Sequence, residues 1–257
     1  MQDKGAATKC KVRPSLGNGV SYMPTLSVIM PAYNEAGSIE AAVGDVLTHV
    51  CSVVPETEII VVDDGSRDQT PAILAAMAGR VPQLRIVTQA NAGHGPALLR
   101  GLAEARGRVL LLLDSDRQIA LDAFAGHWKR LQDENLLGLI GIRRPRNDPP
   151  HRLVITRLMR AAIALSFGRS PQDAGVPYKL LRREAWEEAD RLIPDRAWIP
   201  SVLAAIVLLR RHPDRVREVV VTHLARDHGT SALNYRRLAR FCRHAFGEIR
   251  NLRRELR

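Results

Sequence analysis

Cysteine is scarce in this chain. There are three in 257 residues, Cys10, Cys51 and Cys242, odd in number and far apart. They offer neither the paired spacing of a zinc site nor a disulfide framework, so a reducing cytosolic setting is expected. Aromatic residues make up only 4%, and no nucleic-acid-binding motif accompanies the basic residues, which argues against a nucleic-acid partner. Long apolar runs are missing as well. The longest, Val202–Leu209, is far below the roughly 20 residues that span a bilayer, so a soluble protein or one resting on a membrane surface is expected. Residues 1–25 hold lysines and glycines but no apolar core, which reads as a flexible lead-in rather than a signal peptide. Acids are outnumbered, 27 Asp and Glu against 38 Lys and Arg, for a formal net charge of +11. That excess predicts an anionic partner such as an anionic lipid or a phosphorylated substrate.

What is present is an ordinary globular composition, 46% hydrophobic and 25% charged, on a chain long enough to bury a full core. The first half alternates. Leu26–Met30, Glu58–Val62, Leu84–Thr88 and Val109–Leu113 read as strands. Between and after them, Ala36–Val50, Gln69–Ala78, Gly95–Arg106 and Leu121–Gln132 carry helical spacing. This order argues for an α/β fold with a mostly parallel, doubly wound sheet. A further strand is expected at Leu139–Ile142, helices around Leu153–Phe167, Arg183–Leu192 and Ser201–Arg211, and a strand at Val216–Val221.

Two strands end in paired acids. Val109–Leu113 runs into Asp114-Ser115-Asp116, and Glu58–Val62 into Asp63-Asp64-Gly65-Ser66. The carboxyl ends of strands are where an open parallel sheet places its ligands. Carboxylates beside a hard divalent cation can there hold a nucleotide by its diphosphate. The surroundings of Asp114 and Asp116 hold no His/Cys cluster, and with Gln118 as a neutral oxygen ligand the set favours Mg2+ or Mn2+ over zinc. Pro31-Ala32-Tyr33-Asn34-Glu35 follows the first strand, where a proline, lacking an N–H, is expected to stop the ladder and free the loop. Asn91-Ala92-Gly93-His94-Gly95-Pro96-Ala97 opens a helix with glycines, a weak sign of a phosphate cradle.

The order of these motifs, over about half the chain, resembles the inverting glycosyltransferases of family 2 with the GT-A fold. It is most similar to the polyprenyl-phosphate branch typified by dolichyl-phosphate mannose synthases. The resemblance implies a nucleotide-sugar site built from Pro31, Tyr33, Asn34, Glu35, Asp63, Asp64 and Asp114. It extends to the G-x-G-x-A-x-x-x-G pattern of Gly93, Gly95, Ala97 and Gly101, with Arg100 in it. It also implies metal on Asp116 with help from Gln118. In the second half, Leu139–Arg143 resembles a strand whose arginine faces the acceptor phosphate, so Arg143 is counted with Asp116 and Asp173 among the catalytic residues. Asp173 and Tyr178-Lys179-Leu180 resemble a segment near the sugar. Arg226 and Ser231 resemble an R-x-x-G-x-S phosphate motif, and Arg157 fits a further acceptor-phosphate arginine by spacing. Departures are Pro177 for a glycine, Ala232 for a lysine, Arg117 for an apolar residue after the D-x-D, and Ala161 for a hydroxyl residue.

The implied reaction is sugar transfer from a UDP- or GDP-sugar to a polyprenyl phosphate or other phosphorylated acceptor. A hydroxyl acceptor needs a general base, whereas a phosphate is already anionic and needs cations to position it. No Glu-Asp pair stands late in the domain to act as base, and arginines are plentiful there, which favours phosphate. Asp173 is left as the candidate for a base or sugar-positioning role. Transfer to a soluble hydroxyl acceptor and a catalytically inert scaffold remain as alternatives.

The division expected is a lead-in at 1–25, a glycosyltransferase domain at 26–232 and a basic amphipathic helix at 233–257. That helix suits an anionic membrane surface on the cytoplasmic side, and it equally suits packing on the sheet with an arginine-rich solvated face.

Overall fold

The structure, a computed structural model, describes residues 23–145, 150–168, 170–225 and 235–256, and side chains for all of these except 150–155 and 235–239. Strands β1 (Leu26–Ala32), β2 (Thr57–Asp63), β3 (Leu84–Thr88) and β4 (Val109–Leu112) alternate with helices α1 (Ile39–Val46), α2 (Thr70–Ala78) and α3 (His94–Glu104). Then follow α4 (Phe124–Asp133), β5 (Gly138–Arg143), α5 (Pro150–Phe167), β6 (Lys179–Arg182), α6 (Arg183–Asp190), α7 (Pro200–Arg211), β7 (Val216–Val221) and α8 (Tyr235–Glu255). The seven strands form one sheet in the order β3-β2-β1-β4-β6-β5-β7. β1, β2, β3 and β4 run parallel, and β6 is antiparallel to both β4 and β5.

The central strands are aliphatic because helices cover both faces. β1 is buried at every position, and β4 likewise. β6 was not foreseen. Its four residues begin in Lys179 and end in Arg182, a pattern without the apolar run that marks its neighbours. Pairing on both edges holds it regardless, with Leu180 opposite both Leu111 and Leu139.

Most boundaries shift by one to a few residues from expectation, and two of the shifts have a clear local cause or form. β1 continues through Pro31 to Ala32, pairing Pro31 with Val62. Its ladder with β4 ends at Ile29 opposite Leu112. The Pro31 carbonyl accepts from Ser115 Oγ at 2.9 Å on that same side, so the N–H that proline lacks would face a neighbour that has already ended. The helix expected over 36–50 begins at Ile39 and gives way to a π-helical turn at Leu47–Cys51.

α8 turns an apolar stripe of Ala245, Ile249 and Leu252 into the protein, where it packs on α5 and α7. Arg240, Arg243, Arg250, Arg253 and Arg254 stay exposed.

Candidate active site

The carboxyl ends of β1, β2 and β4 open into a cleft of about 380 Å3. Its wall includes Pro31, Tyr33, Glu35, Asp64, Asp114 and Asp116, so six of the residues expected at a nucleotide-sugar and metal site meet in one place. Ser115, between the two acids, is buried and tied to Pro31, which turns its neighbours toward the cleft.

The loops around this cleft are laced together by side chains. Asn34, in the left-handed region at φ 56°, accepts from the Arg67 N–H at 2.8 Å, and its own N–H donates to Ser66 Oγ at 3.0 Å. The Glu35 N–H donates to Thr70 Oγ1 at 2.9 Å and the Ala36 N–H to Asp68 Oδ2 at 3.1 Å. Asp63 is buried, accepts from the Ser66 N–H at 3.0 Å, and takes no part in the cleft wall.

Asp64 accepts from Gln89 Nε2 at 2.7 Å and from the Ala92 and Gly93 N–H groups, both at 2.8 Å. Its carboxylate therefore shapes the loop before α3. Three donors on one buried carboxylate form a firm clasp. Gly65, at φ +69°, lets that loop come close, since a Cβ there would lie 2.8 Å from the Asn91 nitrogen.

The clasp presents His94, the first residue of α3, which the motif reading passed over. His94 Nε2 lies 2.9 Å from Asp114 Oδ1. Burial opposes protonation of the imidazole, but the Asp114 carboxylate outweighs it and raises the His94 pKa. On Asp114 burial pushes upward, and His94, Lys179 and Arg143 together bring the pKa below its ordinary value. The only sequence signal for His94 was a histidine set between two glycines at a helix start.

Beyond Asp116 the chain turns away. Arg117, also at positive φ, donates to Asp45 Oδ2 at 2.7 Å on α1, which accounts for a charged residue where an apolar one was expected. The Gln118 N–H donates to Asp116 Oδ1 at 3.1 Å and its carbonyl accepts from the Leu224 N–H. The Gln118 side chain is not part of the cleft wall.

On the other side of β4 stand the residues expected to meet the acceptor. Arg143, at the end of β5, makes a bidentate pair with Asp173, Nε to Oδ2 at 2.7 Å and Nη2 to Oδ1 at 2.9 Å. Asp173 is 1% exposed, and both oxygens of this carboxylate, the candidate for a base or sugar-positioning role, accept from this one arginine. Lys179, fully buried on β6, donates to the carbonyls of Ala174 and Val176. It adds a third charged group, in the segment the resemblance placed near the sugar. Tyr178 is buried and its hydroxyl meets His127 Nδ1 at 2.9 Å. Burial drives the phenol pKa far up. Arg157 is exposed on α5, whereas Arg226 and Ser231 lie outside the described residues.

Oxygen donors on Asp114 and Asp116 fit a hard divalent cation. Such an ion is commonly held by one or two carboxylates plus substrate phosphates rather than by a protein cage. Among the described residues no group of three His, Cys, Asp or Glu is placed to hold a metal by itself.

Comparisons with known proteins identify relatives of this chain and of its fold. The chain is 29% identical over 218 residues to the undecaprenyl-phosphate 4-deoxy-4-formamido-L-arabinose transferase of Pseudomonas fluorescens, covering 83% of this chain and 61% of that one. It is 31% identical over 209 residues to the dodecaprenyl-phosphate galacturonate synthase of Rhizobium johnstonii, covering 80% and 61%. The chain thus spans 61% of the length of these relatives. Among solved structures it is similar to glucosyl-3-phosphoglycerate synthase from Mycobacterium tuberculosis bound to Mn2+, UDP and phosphoglyceric acid. The TM-score there is 0.67 at 22% identity over 90% of this chain and 78% of that one. A mannosyltransferase from Pyrobaculum calidifontis with GDP-mannose and Mn2+ gives a TM-score of 0.62 at 24% identity over 89% and 64%. These likenesses establish the GT-A fold. The family description "Glycosyl transferase family 2" matches residues 27–190, and the chain belongs to that family.

Proposed function

We propose that this chain transfers a sugar, with inversion, from a UDP- or GDP-sugar to a polyprenyl phosphate at a membrane surface, in a reaction that depends on Mg2+ or Mn2+. The donor occupies the cleft bounded by Pro31, Tyr33, Glu35, Asp64 and Asp114, with its diphosphate beside Asp116 and the amino end of α3. Backbone N–H groups at a helix start attract anions, and α3 begins at His94 on the cleft wall. Asp116, followed by Gln118, holds the cation with support from Asp114. When bound, that cation neutralises charge developing on the leaving nucleoside diphosphate. Asp63 acts one step back, shaping the loop through Ser66.

The observation that carries the acceptor assignment is the Arg143–Asp173 pair. A guanidinium held in plane by a bidentate carboxylate is oriented for a phosphate, the geometry arginine matches best. Asp173 then serves as a positioning residue for Arg143, since a phosphate acceptor needs no base. Exposed Arg157, together with Arg226 and Ser231, completes the acceptor-phosphate set. Two relatives are named for undecaprenyl and dodecaprenyl phosphates, which supports a lipid-linked acceptor. Among the described residues no helix is long and apolar enough to cross a membrane. The exposed arginines of α8 are surface groups suited to contact with lipid, each worth roughly 1 kcal/mol near an anionic leaflet.

A second reading is transfer to a soluble acceptor. It is favoured by the likeness to a glucosyl-3-phosphoglycerate synthase solved with phosphoglyceric acid. The deciding experiment offers a panel of radiolabelled UDP- and GDP-sugars, with Mg2+ or Mn2+, to polyprenyl phosphate in mixed micelles. Label in the butanol phase that disappears with EDTA supports the lipid reading. Metal-dependent nucleotide-sugar turnover with no lipid label moves the acceptor to a soluble compound.

A further inference from the structure

The segment 197–199 lies between α8 and the first turn of α3. On one side it meets Gly95, where a Cβ would lie 2.2 Å from the Ala197 oxygen and 2.7 Å from the Trp198 oxygen. That is backbone against backbone, with no flexible side chain to absorb movement. On the other side it meets α8. Glu248 accepts from the Trp198 N–H at 2.7 Å and the Ile199 N–H at 3.2 Å. These N–H groups stand at the start of α7, whose N-cap position is Ile199 and which has no side-chain cap of its own. The Trp198 ring stacks on His244 with centroids 4.4 Å apart and planes 3° from parallel, and Phe241 lies 6.5 Å away.

Glu248 is out of pattern on α8. It falls between Ala245, Ile249 and Leu252 at the helical spacing of the inward stripe, a costly position for a carboxylate unless it is hydrogen-bonded. Burial raises its pKa, and the two backbone donors work against that rise. A carboxylate at a helix start offsets the cost through unpaired N–H groups and the helix dipole.

We propose that Glu248 and Trp198 are positioning residues for the donor cleft: by docking on segment 197–199, α8 holds that segment against Gly95 and so fixes His94 beside Asp114. Neither side chain is part of the cleft wall. The proposal rests on the reading of that cleft as the donor site. Its consequence is that whatever displaces α8, including its own arginine-rich face engaging an anionic surface, changes nucleotide affinity at a distance.

Amide hydrogen exchange on the full chain without ligand, with UDP and GDP binding in Mn2+ measured alongside, tests this. Glu248→Ala is expected to speed exchange over both 198–202 and 93–99 by roughly fivefold, the scale of a lost helix cap. The nucleotide Kd should rise by a similar factor while turnover at saturating donor stays near that of the parent chain. Glu248→Gln, which keeps one acceptor oxygen, should recover most of the protection and serves if the alanine variant does not fold. Faster exchange confined to 198–202, with 93–99 unchanged, would make Glu248 a local cap and overturn the proposal. If the parent chain binds neither UDP nor GDP, the donor reading fails, and exchange at 93–99 still decides whether α8 acts on that loop.

Discussion

Replacing Lys179 with methionine probes how far charge is balanced beneath the site. Lys179 is fully buried. Burial lowers its pKa from 10.5 to about 8, with Asp173 and Asp114 pulling upward and Arg143 pushing down. The folded pKa thus lies below the unfolded one, and between the two the unfolded chain binds more protons. Stability contributed by this group must then rise as pH climbs from about 8 toward 10.5, and the full penalty applies below about 8. The gap between 10.5 and about 8 corresponds to roughly 3 kcal/mol.

Methionine keeps the length of the side chain and removes the charge. It also leaves the Ala174 and Val176 carbonyls without this donor, so the absolute offset between variant and parent mixes two effects. The pH dependence of the difference does not. Urea unfolding at intervals from pH 7 to 10.5 should show the parent gaining roughly 3 kcal/mol relative to Lys179→Met over that range. Parallel stability curves for the two proteins would refute the burial-driven shift and the charge balance built on it.

Asp116→Asn should reduce metal-dependent transfer by at least about a hundredfold, the scale of losing one centre of electrostatic stabilisation; near-parental turnover in the radiolabel assay would remove the metal assignment. Asp173→Ala strands the half-buried Arg143 guanidinium and should cost up to about 3–5 kcal/mol by chemical denaturation; a loss below about 1 kcal/mol would show that the pair is effectively solvated. Because the Asp114 carboxylate outweighs burial in raising the His94 pKa, Asp114→Asn should lower the His94 midpoint in an NMR titration, and an unmoved midpoint would break that assignment. Gly95→Ala forces a methyl onto the Ala197 and Trp198 carbonyls and should lower stability by about 1–3 kcal/mol, read as a drop in Tm; an unchanged Tm would mean that segment 197–199 is free to move.

Much of the fold was legible because β1, β2 and β4 are aliphatic runs that end in polar turns, and burial on both faces demands just that pattern. The acid pairs were legible for the same reason, each marking where such a run stops. What escaped notice depends on contacts distant in sequence. Asn34 and Asp64 fall in motifs read as ligand contacts, yet much of what they do is hold neighbouring loops, through Arg67 and Ser66 for Asn34 and through Gln89, Ala92 and Gly93 for Asp64. The closeness of His94 to Asp114 spans 20 positions and comes from that clasp. For α8 the amphipathic pattern was legible, whereas the choice between protein and lipid for its apolar stripe was not. Periodicity reports that a face is apolar but not what covers it.

The least legible strand matters most to the chemistry. β6 is short, charged at both ends and reversed between β4 and β5. β4 leads into Asp114 and Asp116 on the proposed donor side, and β5 ends in Arg143 on the proposed acceptor side. A charged strand inserted between them costs desolvation at Lys179, and an aliphatic residue would fill the position more cheaply. The charge is tolerated because its field reaches both sides: Lys179 feels Asp114 and Asp173 together, and Asp114 in turn feels Lys179 and Arg143. Asp114, Asp173 and the Arg143 guanidinium together leave one negative charge in excess, which in an open site water would screen. A fixed ammonium beneath them supplies that balance in advance, so little rearrangement is left for the moment of transfer.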